Sequence, residues 1–253
     1  MERKDFLKGL GLVGLGSLAI PIISSCGSDE DSSSTDSSAT DNTEATDTGS
    51  SSGSSGCSVT ATETAGPFPT KTPSSLVKSD ITSDRTGVPL TINITIKNKN
   101  ASCVALEGAL VDIWHCDKDG YYSEYGGTGM QSADFTSVHF LRGRQTTNAN
   151  GLVSFTSVFP GWYSGRATHI HVHIYNSSGT SLLVTQIAFP EGSGSAVVLV
   201  NASTANGYTK GMSGYTYNAN DNVFSDGVST EMSTVTGSVA TGFVLTHTIN
   251  VAA

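Results

Sequence analysis

The sequence predicts an all-β fold, a two-sheet β-sandwich of about eight strands with long loops that carry the functional site. Three observations predict it. From residue 58 onward, short apolar runs are separated by Gly, Asn, Ser and Pro clusters, and no long helical period appears. The clearest run, "LTINITIKN" (90–98), alternates Leu90, Ile92, Ile94 and Ile96 with Thr91, Asn93, Thr95 and Lys97, which gives one dry face and one wet face. Runs of this kind recur over roughly 190 residues, the pattern of two packed sheets.

The strands are expected in order at "LTINITIKN" (90–98), "ALVDIW" (109–114), "GLVSFTSV" (151–158), "THIHVHIY" (168–175), "SLLVTQIAF" (181–189), "SAVVLV" (195–200) and "ATGFVLTHTINV" (240–251). Asn150-Gly151 marks a tight turn, because both residue types tolerate positive φ. No internal repeat is present.

The chain divides into three parts. Residues 1–25 have a basic start (Arg3, Lys4, Lys8), an apolar run too short and glycine-rich for a comfortable membrane span, and a breaker at Pro21. That is the form of an export signal. Its end, "IISSC", resembles the lipobox of bacterial lipoproteins, which makes Cys26 the expected lipidated first residue and the sole contact with a membrane. "RKDFLK" also resembles a degenerate twin-arginine signal, with Lys4 in place of the second arginine. "GLGLVG" spells Gly-x-Gly-x-x-Gly, but no strand precedes it, so it is no nucleotide site.

Residues 26–56 are a Ser, Thr, Gly and acid tract too poor in apolar surface to fold, and are read as a tether. The tract holds seven acids and no base, so most of the net charge of −9 lies there. The folded part, 57–253, is nearly neutral and shows no electrostatic footprint for nucleic acid. The expected location is exported and membrane-anchored. Of the four cysteines, Cys57, Cys103 and Cys116 then remain in an oxidising compartment, where one disulfide is expected and one thiol stays single. If 90–98 and 109–115 pair as neighbouring strands, Cys103 and Cys116 are about 20 Å apart at ~3.3 Å per residue. That disfavours their bond but leaves the connectivity open.

Three of the six histidines fall in "GWYSGRATHIHVHI" (161–174). On a strand, residues i and i+2 share a face, so His169 and His171, or His171 and His173, can converge on one ion. A ferrous facial triad needs a carboxylate, yet no Asp or Glu stands between Gly151 and Pro190. The oxygen donors present are phenols: Tyr163, and Tyr121, Tyr122 and Tyr125 in "DGYYSEYG". A phenolate is a hard anionic ligand suited to Fe(III).

"TAGPFPT", "LEGALVDIWHCDKDGYYSEYG" (106–126), "FLRGRQTTNANGLVSFTSVFPGWYSGRATHIHVHI" (140–174), "TQIAFP" (185–190) and "DNVFSDG" (221–227) occur in this order. Together they resemble the intradiol ring-cleavage dioxygenases, the catechol and protocatechuate 3,4-dioxygenase superfamily, and its exported members most closely. The resemblance implies a β-sandwich holding non-haem Fe(III). It places the metal on Tyr122, Tyr163, His169 and His171. Arg166 and Gln186 fall where the family keeps an arginine and a glutamine beside the substrate, and Tyr163 where a released phenolate accepts a substrate proton. The implied reaction opens a small aromatic diol between its hydroxylated carbons, both atoms of O2 entering a cis,cis-muconate-type diacid. The sequence departs from the family pattern at Ala65, where an acid is common, and at Asn148, where Asp is usual. His173 continues the alternation beyond the ligand pair, and His115, His139 and His247 are read as structural.

Two rivals differ in class. One is a tethered sandwich that binds metal or aromatics without turnover. The other is a zinc or copper hydrolase or scavenger using the histidines with Asp112, Asp117 or Asp119.

Overall fold

The computed structural model describes residues 57–127 and 129–253, so the expected export signal (1–25), Cys26 and the tether (26–56) lie outside the described residues. Nine strands follow in chain order: β1 (Pro89–Asn98), β2 (Val104–Ala105), β3 (Leu110–Trp114), β4 (Arg142–Thr146), β5 (Leu152–Val158), β6 (His169–Tyr175), β7 (Ser181–Ala188), β8 (Thr234–Ser238) and β9 (Gly242–Val251). One short helix, α1 (Ala196–Asn201), interrupts them. Among the described residues, no helix is long and apolar enough to cross a membrane.

In β1, Leu90, Ile92, Ile94 and Ile96 are buried while the residues between them are partly exposed, as the alternation dictates. β9 runs parallel along one edge of β1, with Ile92 opposite Leu245; β5 runs antiparallel along the other edge, which β2 continues. β8 pairs with the far edge of β9. The second sheet has the order β4-β3-β6-β7 and is antiparallel throughout. Ile92, Ile94, Phe155 and Leu245 of the first sheet belong to one core with Val111, Ile113, Ile170 and Val172 of the second. The sandwich expected from the sequence is the fold found.

The core also fixes the register of the histidine strand. Ile170, Val172 and Ile174 are fully buried, each contributing roughly 1.5–3 kcal/mol on burial. A one-residue slip would forfeit that gain and turn the histidines into the core. His169 and His171 therefore face outward from the second sheet. They are buried nonetheless, because the segment leading to β1 and the β3–β4 loop cover that face. Gln186 Nε2 donates to Thr64 O, and Arg142 Nη1 donates to Phe68 O.

Two expectations need correction. "SAVVLV" (195–200) is not a strand: Ser195 Oγ accepts from Val198 N, and α1 follows, with Val197 and Val200 buried. A short apolar run fits a buried helix turn as well as a strand, and the N-cap serine decides. β1 and β3 are not neighbours but lie in different sheets. The one disulfide and one single thiol expected are found, and the connectivity left open is Cys57–Cys103, with Cα atoms 6.0 Å apart, while Cys116 is a buried free thiol. The Asn148–Gly151 turn forms as expected, with Gly151 at φ +70° and Asn148 Oδ1 accepting from Asn150 N and Leu152 N.

Candidate metal centre

His169 and His171 meet at one point above the second sheet. His169 Nδ1 lies 2.6 Å from Ala167 O, a pure acceptor, so the ring proton sits on Nδ1 and the Nε2 lone pair is free. Around that lone pair stand His171 Nε2 at 3.2 Å, Tyr122 Oη at 3.2 Å and Tyr163 Oη at 3.5 Å. Burial lowers the His169 pKa to about 3, aided by the Arg166 charge, and drives His171 well below its ordinary range. Both imidazoles are held neutral, the form a metal ligand must take.

Each donor is placed by its surroundings. Trp114, directly opposite His171 across β3–β6, stacks on the imidazole at 4.9 Å and 2°. Gly66 packs on the other side at φ +68°, where a Cβ would lie 2.9 Å from His171 Cε1. Tyr122 is fully buried. Phe68 stacks on its ring at 4.9 Å, and Gln131 clamps its backbone, accepting from Tyr122 N and donating to Tyr122 O. Glu124, at φ +67°, anchors the same loop by accepting from Lys71 N and pairing with His139. Tyr163 meets Tyr122 edge-on at 5.7 Å. Burial raises both phenol pKa values, that of Tyr122 well above the ordinary range.

One ring nitrogen and two phenol oxygens thus crowd the His169 Nε2 lone pair, which can accept a single hydrogen bond. Ligand atoms on one ion with bonds of about 2.1 Å stand roughly 3.0–3.4 Å apart, close to the spacing here. His171 Nδ1 is buried without a hydrogen-bond partner, so packing by Trp114 and Gly66 orients that ring. No group of three or more His, Cys, Asp or Glu side chains among the described residues could hold a metal. An ion at this point therefore needs the tyrosine oxygens, and that mixed donor set fits Fe(III).

The family model described as "Dioxygenase" matches residues 66–210, more than half of the chain. The chain belongs to the intradiol ring-cleavage dioxygenase family. A solved structure, an intradiol ring-cleavage dioxygenase from Tetranychus urticae, is 26% identical with a TM-score of 0.67, covering 77% of this chain and 95% of its own. Catechol 1,2-dioxygenase 1 of Acinetobacter lwoffii is 31% identical over 42% of this chain, and a chlorocatechol 1,2-dioxygenase of Rhodococcus opacus is 28% identical over 36%. The aligned stretches span 37% and 40% of those two curated relatives, so the chain covers less than half their length. A chlorocatechol 1,2-dioxygenase structure from Pseudomonas putida, 21% identical with a TM-score of 0.52, shares the fold.

The other expected residues fall as follows. Arg166 is nearly buried, with Nη1 3.4 Å from His169 Nε2 and Nη2 donating to Gln186 Oε1 at 2.6 Å. Gln186, opposite His171 across β6–β7, is itself held at Thr64 O, so it stands behind Arg166 and orients it. His173 turns away to Ser181 and Tyr175. Tyr121 packs near Phe135, and Tyr125 donates to Pro69 O. Asp112 is paired with Arg144, Asp117 with Arg85 and Asp119 with Lys118, which removes the carboxylates that the hydrolase rival required.

Beside the centre opens a cleft of about 440 Å³ lined by residues that include Gly66, Pro67, Met130, Tyr163, Arg166 and Val223. Tyr163 is the phenol that faces it. Two residues that the sequence reading left without a role belong to the site: Gly66, in "TAGPFPT", and Asp221, in "DNVFSDG". Both stand inside quoted motifs, but nothing in their local pattern announces a contact with His171 or Arg166.

Proposed function

We propose that this protein is a non-haem Fe(III) dioxygenase that cleaves a catechol-type ring between its two hydroxylated carbons. The product is a cis,cis-muconate-type diacid carrying both atoms of O2. The observation that supports the reading most is the approach of Tyr122, Tyr163 and His171 to a single lone pair on His169, at 3.2–3.5 Å.

Tyr122, Tyr163, His169 and His171 would hold the iron, which when bound would act as a Lewis acid on the diol. Tyr163, at the cleft, is placed to accept the proton of an incoming hydroxyl. The Nη1 donors of Arg166 point at the same place and would stabilise negative charge developing on the ring, their direction preset by neighbouring hydrogen bonds. Phe68, Trp114 and Tyr122 wall the centre and exclude water from its inner side.

The test combines colour and turnover. Iron-loaded protein is expected to show a tyrosinate-to-iron charge-transfer band in the visible and to take up O2 with catechol. Tyr122→Phe should weaken and shift the band, leaving the contribution of Tyr163, while still folding. A colourless iron-loaded protein would defeat the reading, and colour without O2 uptake would favour the non-catalytic binder.

We also propose an exported location with a lipid anchor on Cys26, on the strength of "IISSC" and of a disulfide suited to an oxidising compartment. A Cys26→Ser chain recovered in the soluble fraction instead of the membrane fraction checks it.

A further inference from the structure

Asp221 is fully buried, and each of its oxygens is held twice. Oδ1 accepts from Arg166 Nε at 2.9 Å and Val223 N at 2.9 Å, and Oδ2 from Arg166 Nε at 2.9 Å and Ala167 N at 2.7 Å. Arg166 is the one charged side chain among the described residues lining the cleft. Its charge is therefore already matched inside the wall. More acid lies behind it. Glu63, next to the cleft residue Thr64, is within electrostatic reach of Asp226, Arg166, Glu231 and Asp221; burial, then Asp226, raises its pKa.

A carboxylate on an incoming ring would thus meet a wall whose one cation is already paired. A charge that gives up water there without gaining a partner is disfavoured. An apolar substituent meets no such penalty. Gly66, Pro67, Met130 and Val223 line the cleft, and about 440 Å³ leaves room beyond a single six-membered ring, since pockets of ~300–1,000 Å³ enclose drug-sized ligands.

We infer that Asp221 is a specificity-determining residue: by neutralising Arg166 it makes the cleft select uncharged, apolar-substituted catechols over catechol carboxylates. The inference rests on the dioxygenase reading above and names the substrate class of the same site. Asp221 acts through Arg166 and touches no substrate, so its role is positioning and charge compensation.

The test compares two diols of similar size, 4-methylcatechol and 3,4-dihydroxybenzoate, on the full iron-loaded protein. kcat/KM for the neutral diol should exceed that for the acid by roughly tenfold or more, the scale of a charge that gives up water without gaining a partner. Asn222→Lys adds a cation at an exposed cleft position without touching Arg166 or the metal-binding set. It should narrow the ratio about tenfold, since close charge pairs at ε ~20 interact by several kcal/mol before solvent screening. Asp221→Asn should move the ratio the same way even where both rates fall. A merely structural role would lower both rates and leave the ratio in place. Equal kcat/KM for the two diols, or a ratio unmoved by Asn222→Lys, overturns the inference. Absence of O2 uptake with every diol would instead defeat the dioxygenase reading. In that event, calorimetric binding of the same pair without oxygen still decides this one, by the same expected preference.

Discussion

Replacing Gly66 by alanine should weaken both the fold and the metal centre, by amounts the geometry sets. Gly66 has φ +68°, a conformation that costs an L-residue about 1–2 kcal/mol. Pro67 follows and removes the neighbouring right-handed α basin as an escape. The new Cβ would sit 2.9 Å from His171 Cε1, so the imidazole must give way by several tenths of an ångström. It cannot do so freely, because Trp114 stacks on it at 4.9 Å and Tyr122 lies edge-on at 6.0 Å. We expect Gly66→Ala to lose about 2 kcal/mol of stability, the strain with part of the contact added. Iron affinity should fall about tenfold or more, the usual scale for disturbing a group that orients a ligand. Gly179→Ala is the control, since Gly179 has φ +85° and nothing within 4 Å of an added Cβ. It carries the backbone strain alone. Urea unfolding reads the first effect, and titration of the charge-transfer band with iron reads the second. If the two variants lose the same stability and Gly66→Ala binds iron like the parent, Gly66 is not the wedge that sets His171.

Two further outcomes follow from other parts of the sandwich. Cys57→Ser opens a loop with a sequence separation of 46 and should cost about 4 kcal/mol by the chain-entropy relation, read as a lower urea midpoint that dithiothreitol reproduces in the parent. Glu231 has its pKa raised to about 8 by burial, then by Glu63 and Asp226. The folded state therefore keeps a proton that the unfolded chain releases at the ordinary carboxylate pKa. Stability should fall as pH rises from that value to about 8 and level off above it. Glu231→Gln should flatten that decline, and its advantage over the parent should be largest above pH 8; equal slopes in pH-resolved unfolding would exclude Glu231 as the source.

What the sequence made legible was whatever alternates or repeats a motif. The β1 residues Leu90 to Ile96 declare their two faces at every step, and His169 and His171 declare a shared face by their spacing. Other elements hide because their stabilisation is polar. β4 reads "RGRQT", with nothing apolar to mark it, yet Arg142 is fully buried with its donors on Phe68 O and Ser123, and Arg144 is paired with Asp112. β8 reads "TVTGS" and pairs only with β9, so it needs no second dry face. Tyr122 could be told from Tyr121 and Tyr125 by resemblance alone, since all three are phenols on one loop. The role of Asp221 was illegible for a different reason: its partner Arg166 lies 55 residues away in sequence, and only the closed fold brings the two together.

The four donors come from three stretches of chain: the loop after β3 gives Tyr122, the loop after β5 gives Tyr163, and β6 gives both histidines. Tyr122 and His169 are 47 residues apart, so no local fragment can assemble the set. On the proposed reading, iron uptake has to wait until β3 and β6 have paired and the loops after β3 and β5 are in place. The colour of the loaded protein would then be a visible gauge that this face of the sandwich has formed.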